Sequence, residues 1–89
     1  MLKKYLEKNG YKIDDEGFYY TKKLHKYPNV ISNIYVVGER IIRSNCDCSV
    51  EYIVESKREQ LEINKIIKEC LTQHYEFIQK VIKHYGSKE

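Results

Sequence analysis

One long amphipathic helix is the sequence feature that most constrains this chain. Between Ser56 and Gly86, apolar side chains recur every three or four residues, the spacing that places them on one side of an α-helix. That side comprises Ile63, Ile66, Ile67, Cys70, Leu71, His74, Tyr75, Phe77, Ile78, Val81, Ile82 and Tyr85. Ser56 and Glu59 have the spacing of a capping box, and Gly86 can adopt the left-handed conformation that ends a helix. We therefore expect one helix over residues 57–85.

The length of this helix predicts an interface. At about 1.5 Å per residue it spans roughly 43 Å, whereas a compact domain of this size is about 30 Å across. A helix that extends past its sheet would leave an apolar strip uncovered in its C-terminal half, and we expect a second copy of the chain, or another partner, to cover it. The expected homodimer interface is His74, Phe77, Ile78, Val81, Ile82 and Tyr85. The alternative is a break near Thr72 and Gln73 that folds the last turns back onto the sheet.

The residues before the long helix predict a short helix and a small sheet. Leu2, Tyr5 and Leu6 share one side of a helical pattern that Asn9-Gly10 ends. Strands are expected at 11–13, 18–24, 30–37, 40–44 and 50–54, separated by turns at 14–17, 25–29, 38–39 and 45–49. The 89 residues thus predict a single α+β domain with three to five antiparallel strands under the long helix.

Composition limits the cellular location and the class of partner. No apolar run approaches the length that spans a bilayer, and the charged start of the chain is unlike a signal peptide. Three cysteines, an odd number, suit reduced thiols in the cytoplasm. The net charge of +3 and pI of about 8.7 permit an acidic partner without requiring one. Abundant Lys, Ile, Glu and Tyr without any Ala suggest AT-rich coding, as in low-GC bacteria, some thermophilic archaea and their viruses.

One stretch interleaves basic and aromatic side chains. Its candidate binding residues are Tyr19, Tyr20, Lys22, Lys23, His25, Lys26 and Tyr27, joined by Lys3, Lys4 and Lys8 of the first helix. An exposed strand of this kind offers phosphate contacts and stacking planes to nucleic acid. Nine tyrosines equally suit a protein-binding surface. We expect a protein partner in preference to nucleic acid.

The candidate metal ligands have an unfavourable spacing. Cys46, Cys48, Cys70 and His74 supply the four ligands of a zinc site, but Cys46-Asp47-Cys48 is shorter than the usual C-x₂₋₄-C knuckle. We favour a turn at 45–49 with a core cysteine, and a hydrogen-bonded core or interface histidine at His74. The Asp14-Asp15-Glu16 cluster is likewise interpreted as a solvated turn rather than an ion site.

Motifs for catalysis are missing from the sequence. It contains no G-x-S-x-G, no phosphate-binding glycine loop and no H-E-x-x-H. The resulting expectation is a small non-catalytic binding protein without a cofactor, homodimeric and intracellular, such as a viral or mobile-element accessory protein that inhibits host defence. A nucleic-acid-binding module is the alternative.

Overall fold

The computed structural model describes residues 1–50 and 56–85. Its elements in chain order are α1 (Leu2–Lys8), β1 (Lys12–Ile13), β2 (Tyr19–His25), β3 (Asn29–Val37), β4 (Arg40–Ser49) and α2 (Lys57–Tyr85). The expected α+β arrangement is confirmed: a short N-terminal helix, an antiparallel sheet and one long C-terminal helix that packs on the sheet. In the described part of the chain, no helix is long and apolar enough to cross a membrane.

The short helix α1 is held by docking. Leu2 and Leu6, one turn apart, are fully buried, and the backbone amide of Leu2 donates to Glu39 Oε1 at 2.8 Å. Gly10 follows the helix with φ of +92°, a left-handed conformation that favours glycine. A helix of seven residues is marginal alone, so its two buried leucines supply the stability that its length does not.

The sheet is a meander in the order β1-β2-β3-β4, with each neighbouring pair antiparallel. Val37 pairs with Arg40 across the two-residue connection Gly38-Glu39. Gly38 has φ of +63° and Glu39 does not have a positive φ, as in the expected type II′ turn. A bulge leaves Ile42 unpaired, which turns Ile41 into the core with 4% exposure and answers a question of register that the sequence left open.

The long helix α2 is continuous from Lys57 to Tyr85, so the alternative break near Thr72 is wrong. The Ser56 hydroxyl accepts the Glu59 backbone N–H at 3.1 Å, as the capping pattern predicts. The buried side chains of α2 lie seven, four, four and three residues apart: Ile63, Cys70, His74, Ile78 and Val81. This spacing directs one stripe of the helix at the sheet.

The C-terminal half of α2 is covered by its own chain, and the expectation of an uncovered apolar strip there is wrong. Ile78 and Val81 are 6% and 0% exposed and share one core with α1 and the sheet. The core comprises Leu2, Leu6, Tyr11, Tyr20, Ile34, Ile41, Ile78 and Val81, with Tyr5, Val36, Phe77, Ile82 and Tyr85 packed against it. The argument from helix length failed because it did not place α1 on the same side of the sheet. The exposed end of α2 is the N-terminal one, where Leu61 is 68% exposed.

Two further expectations change in the sheet. The turn predicted at 45–49 is strand, because the nine residues of β3 provide a ladder along which β4 continues to Ser49. The loop predicted at 25–29 is shorter, since His25 belongs to β2 and Asn29 to β3. The strand predicted at 50–54 lies outside the described residues except for Val50, which is not in a strand.

Candidate functional site

Both helices pack on one face of the sheet, and no other element of the described residues covers the opposite face. The covered face buries Tyr20, Val30, Ser32, Ile34 and Ile41. Because side chains alternate along a strand and paired residues share a face, the register defines the open side as three rows across β2, β3 and β4. The rows are Tyr19, Tyr35 and Arg43; Thr21, Asn33 and Asn45; and Lys23, Ile31 and Asp47. None of these nine residues is buried, and we call them the outer face.

The first row is a cluster of two tyrosines and an arginine. The rings of Tyr19 and Tyr35 lie with centroids 5.3 Å apart at 43°. The Arg43 guanidinium carbon lies 5.1 Å from the Tyr35 centroid and 5.9 Å from that of Tyr19. Arg43 Nε also donates to the Tyr19 hydroxyl oxygen at 3.1 Å. These contacts hold the three side chains in one arrangement while they stay accessible.

A single amide group links the other two rows. Asn33 Nδ2 donates to Asn45 Oδ1 at 3.0 Å and to Asp47 Oδ2 at 2.8 Å. The two donated bonds fix the orientation of the Asn33 amide and hold the Asp47 carboxylate against the sheet. Asn33 thus positions two acceptor groups on the neighbouring strand.

A shallow concavity of about 300 Å³ lies over this part of the outer face. Its lining is polar and consists of Asp14, Tyr19, Thr21, Asn33, Asn45 and Asp47. The lining therefore brings together two carboxylates, two amides and two hydroxyls, and among the described residues it includes no Lys, Arg or His.

The turn between β1 and β2 fixes Asp14 at the edge of this concavity. Asp14 Oδ1 accepts the backbone N–H groups of Phe18 at 2.9 Å and Tyr19 at 3.2 Å. The expected turn at 14–17 is therefore confirmed, with Gly17 at φ of +81°. Because one oxygen serves the turn, the other carboxylate oxygen of Asp14 is left for an external donor.

The residues nominated for nucleic-acid binding do not form one surface. Tyr20 is 5% exposed and lies in the core, while Lys22 lies on the covered face with its Nζ 5.7 Å from the Tyr11 ring centroid. Of this stretch, Tyr19 and Lys23 belong to the outer face. Lys3, Lys4 and Lys8 are exposed on α1, across the sheet from Lys23. His25 and Tyr27 are half-buried and Lys26 is exposed in the connection to β3.

His74 belongs to an enclosed hydrogen-bonded chain. The Tyr11 hydroxyl and Ser32 Oγ lie 2.8 Å apart, and Ser32 Oγ lies 2.5 Å from His74 Nδ1. Tyr11 is 3% exposed, and Ser32 and His74 are fully buried. Burial lowers the pKa of His74 and raises that of Tyr11. A substrate cannot reach the Ser32 hydroxyl unless α2 separates from the sheet. We therefore interpret the hydrogen bonds from Tyr11 through Ser32 to His74 as structural.

The cysteines lie on the covered side of β4 and on α2. Cys46 pairs with Ser32 and Cys48 with Val30, whereas Cys70 is buried on the helix. Burial raises the pKa of Cys46 and of Cys70, and negative charge on neighbouring thiols and carboxylates, Asp47 beside Cys46 and Glu69 beside Cys70, raises both further. Within residues 1–50 and 56–85, no group of three or more Cys, His, Asp or Glu is arranged to hold a metal ion.

Most of the outer face was not identified from the sequence. The sequence analysis did not propose Asn33, Tyr35, Arg43, Asn45 or Asp47 as binding residues. Asn45 and Asp47 fell in a segment interpreted as a turn. Alternation along 30–37 was the available signal: Ser32, Ile34 and Val36 lie on one side and Asn33 and Tyr35 on the other.

The fold and the site define a small α+β protein with one helix-covered and one open sheet face. Comparison with protein-family models, with curated proteins and with solved structures found no match to this chain.

Proposed function

We propose that this chain is a non-catalytic binding protein that recognises a protein partner through the outer face of its sheet. The observation that carries the proposal is the cluster of Tyr19, Tyr35 and Arg43, three accessible side chains of the types that dominate protein interfaces. Their mutual contacts support the proposal further, because side chains that are already ordered lose less entropy on binding.

The pattern of charge favours a protein over nucleic acid as the partner. Lys23 and Arg43 stand on the outer face, but Asp14 and Asp47 line the concavity between β1 and β4. Phosphate groups would meet these two carboxylates. Of the other lysines of the nucleic-acid hypothesis, three lie on α1, Lys22 lies on the covered face and Lys26 lies in the connection between β2 and β3, so none belongs to the outer face. A protein offers the mixture of charge, amide and aromatic contacts that the outer face complements.

The covered, C-terminal half of α2 gives no support to a homodimer. His74, Ile78 and Val81 are buried within the single chain, and Phe77, Ile82 and Tyr85 pack against the same core. The proposal is therefore a monomeric binding surface. An accessory role in a virus or mobile element, such as inhibition of a host protein, fits a small protein of this kind and is part of the same proposal.

The proposal is tested by capture of the partner with matched variants. Tagged wild type, Tyr35→Ala/Arg43→Ala and Tyr75→Ala/Arg58→Ala are immobilised, exposed to extract of the native source, and the bound proteins are identified by mass spectrometry. Tyr75 and Arg58 are exposed on α2, so the control removes the same residue types from another surface. We expect one stoichiometric protein on wild type and on the control, and its loss from the outer-face variant.

A nucleic-acid titration completes the test. Fluorescence anisotropy with single-stranded and duplex oligonucleotides is measured at 50 and 200 mM salt. Micromolar binding that weakens steeply with salt and depends on Arg43 would overturn the proposal in favour of a nucleic-acid-binding module. Retention of the captured protein by Tyr35→Ala/Arg43→Ala would also overturn it.

A further inference from the structure

The concavity on the outer face is lined by two carboxylates, those of Asp14 and Asp47. Asn33 Nδ2 already donates to Asn45 Oδ1 and Asp47 Oδ2, and the remaining donor groups of these lining residues are the uncharged Tyr19 and Thr21 hydroxyls and Asn45 Nδ2. For residues 1–50 and 56–85, neither Asp14 nor Asp47 forms an ion pair. Two carboxylates in one recess, whose described lining residues include no Lys, Arg or His, form a surface that attracts a cation.

We infer that the concavity receives an arginine side chain of the partner protein, an inference that rests on the proposed function. The charge complementarity comes from Asp14 and Asp47, which lie in the lining of the same space. Asp14 Oδ1 is occupied by two backbone N–H groups and Asp47 Oδ2 by Asn33. The second oxygen of each carboxylate is therefore the acceptor offered to the incoming side chain.

The form of the site favours a guanidinium group over an ammonium group. The acceptors are spread over a flat surface from the β1–β2 turn to β4, and a planar guanidinium has five donors to distribute among them. Tyr19 also lines the space and adds an aromatic ring, on which a guanidinium stacks. A volume of about 300 Å³ is at the small end of ligand pockets, which suits one side chain rather than a folded element.

The inference is tested with a short peptide and NMR. ¹⁵N-labelled protein is titrated with acetyl-Gly-Arg-Gly-amide, with the Lys peptide of the same length, and with calcium chloride. The readouts are the side-chain amide signals of Asn33 and Asn45, with those of Gln73 on α2 as internal reference. We expect saturable shifts of Asn33 and Asn45 with the Arg peptide, and affinity for the Lys peptide at least threefold weaker.

Isosteric variants show whether the carboxylates are responsible. Asp14→Asn/Asp47→Asn keeps an oxygen for each internal bond while it removes the charge, and Asp15→Asn removes an exposed carboxylate of the same turn. We expect the double variant to bind the Arg peptide at least tenfold more weakly than wild type, and Asp15→Asn to bind it with wild-type affinity. Equal shifts in the double variant, no shift with the Arg peptide, or shifts with calcium alone would overturn the inference.

The peptide titration tests the arginine assignment, and the capture experiment tests the proposed function, so their results can be distinguished. Loss of the captured partner in Tyr35→Ala/Arg43→Ala without any peptide shift overturns the arginine assignment and leaves the outer face as a protein-binding surface. Peptide shifts without any dependence of capture on Tyr35 and Arg43 overturn the proposed function instead.

Discussion

The hydroxyl of Ser32 on β3 lies 2.5 Å from Nδ1 of His74 on α2, in a part of the interior that water does not reach. This contact fixes the rotation of the long helix over the sheet, since an imidazole at the centre of the apolar stripe has to find a polar partner. Tyr11 extends the contact to the residues before the sheet. The packing that results assigns both helices to one face and leaves the outer face open.

The contact predicts a dependence of stability on pH. Burial lowers the pKa of His74 in the folded state below its ordinary value of about 6.5. The unfolded chain therefore binds the proton more tightly, and the free energy of unfolding is expected to fall as pH drops below about 6.5. In thermal unfolding between pH 7.5 and 5, His74→Gln should lose part of this dependence, although it is less stable at pH 7.5.

The matched control for this experiment is His84→Gln, which removes an exposed imidazole near the end of α2. Its melting temperature should follow pH as wild type does. The same dependence in His74→Gln as in His84→Gln would show that His74 is not the group that titrates.

The C-terminal half of α2 is expected to stabilise the monomer. Replacing Ile78, which is 6% exposed, with Ala removes core volume and should cost about 2 to 5 kcal/mol in urea unfolding. Leu61→Ala on the same helix, at a position 68% exposed, should cost about 0.5 kcal/mol or less. The cost at Ile78 should not change with protein concentration. A cost that grows with dilution, together with a dimer in sedimentation, would restore the interface expected from the sequence.

Thiol reactivity is expected to follow burial. Cys48 is exposed, Cys46 is half-buried and Cys70 is 5% exposed, and burial raises the pKa of Cys46 and Cys70 so that less thiolate is present. Alkylation by iodoacetamide at pH 8, followed by mass spectrometry, should modify Cys48 first and Cys70 last. We expect the rate at Cys70 to be at least tenfold lower than the rate at Cys48. Cys70 reacting as fast as Cys48 would mean that α2 is not packed on β4 as described.

The sequence predicted the positions of the helices and strands better than it predicted which side of each one is exposed. In residues 57–85, apolar side chains recur with the helical period of 3.6 residues, and a capping pair precedes them. Both signals are local in the sequence, and the helix has these bounds. Gly38-Glu39 predicted its hairpin for the same reason. Residues 45–49 carry Asn, Asp and Ser, which favour turns, but pairing with β3 overrides that preference.

The candidate site was harder to predict because it depends on pairs that are distant in the chain. Asn33 and Asp47 are 14 residues apart, and Tyr19 and Arg43 are 24 apart. Their proximity follows from strand register, and the bulge at Ile42 shifts that register by one residue. The position of α1 also could not be inferred from helix length alone. These two uncertainties account for the missed outer face and for the apolar strip that was expected to be uncovered.

The most direct test of the central claim is the side-chain amide spectrum of the protein with its purified, captured partner. Binding through the outer face predicts that the Asn33 and Asn45 signals shift or broaden at equimolar partner, while those of Asn64 and Gln73 on the exposed side of α2 do not. Perturbation of Asn64 and Gln73 with unchanged Asn33 and Asn45 would contradict the account and move the binding surface to the helix.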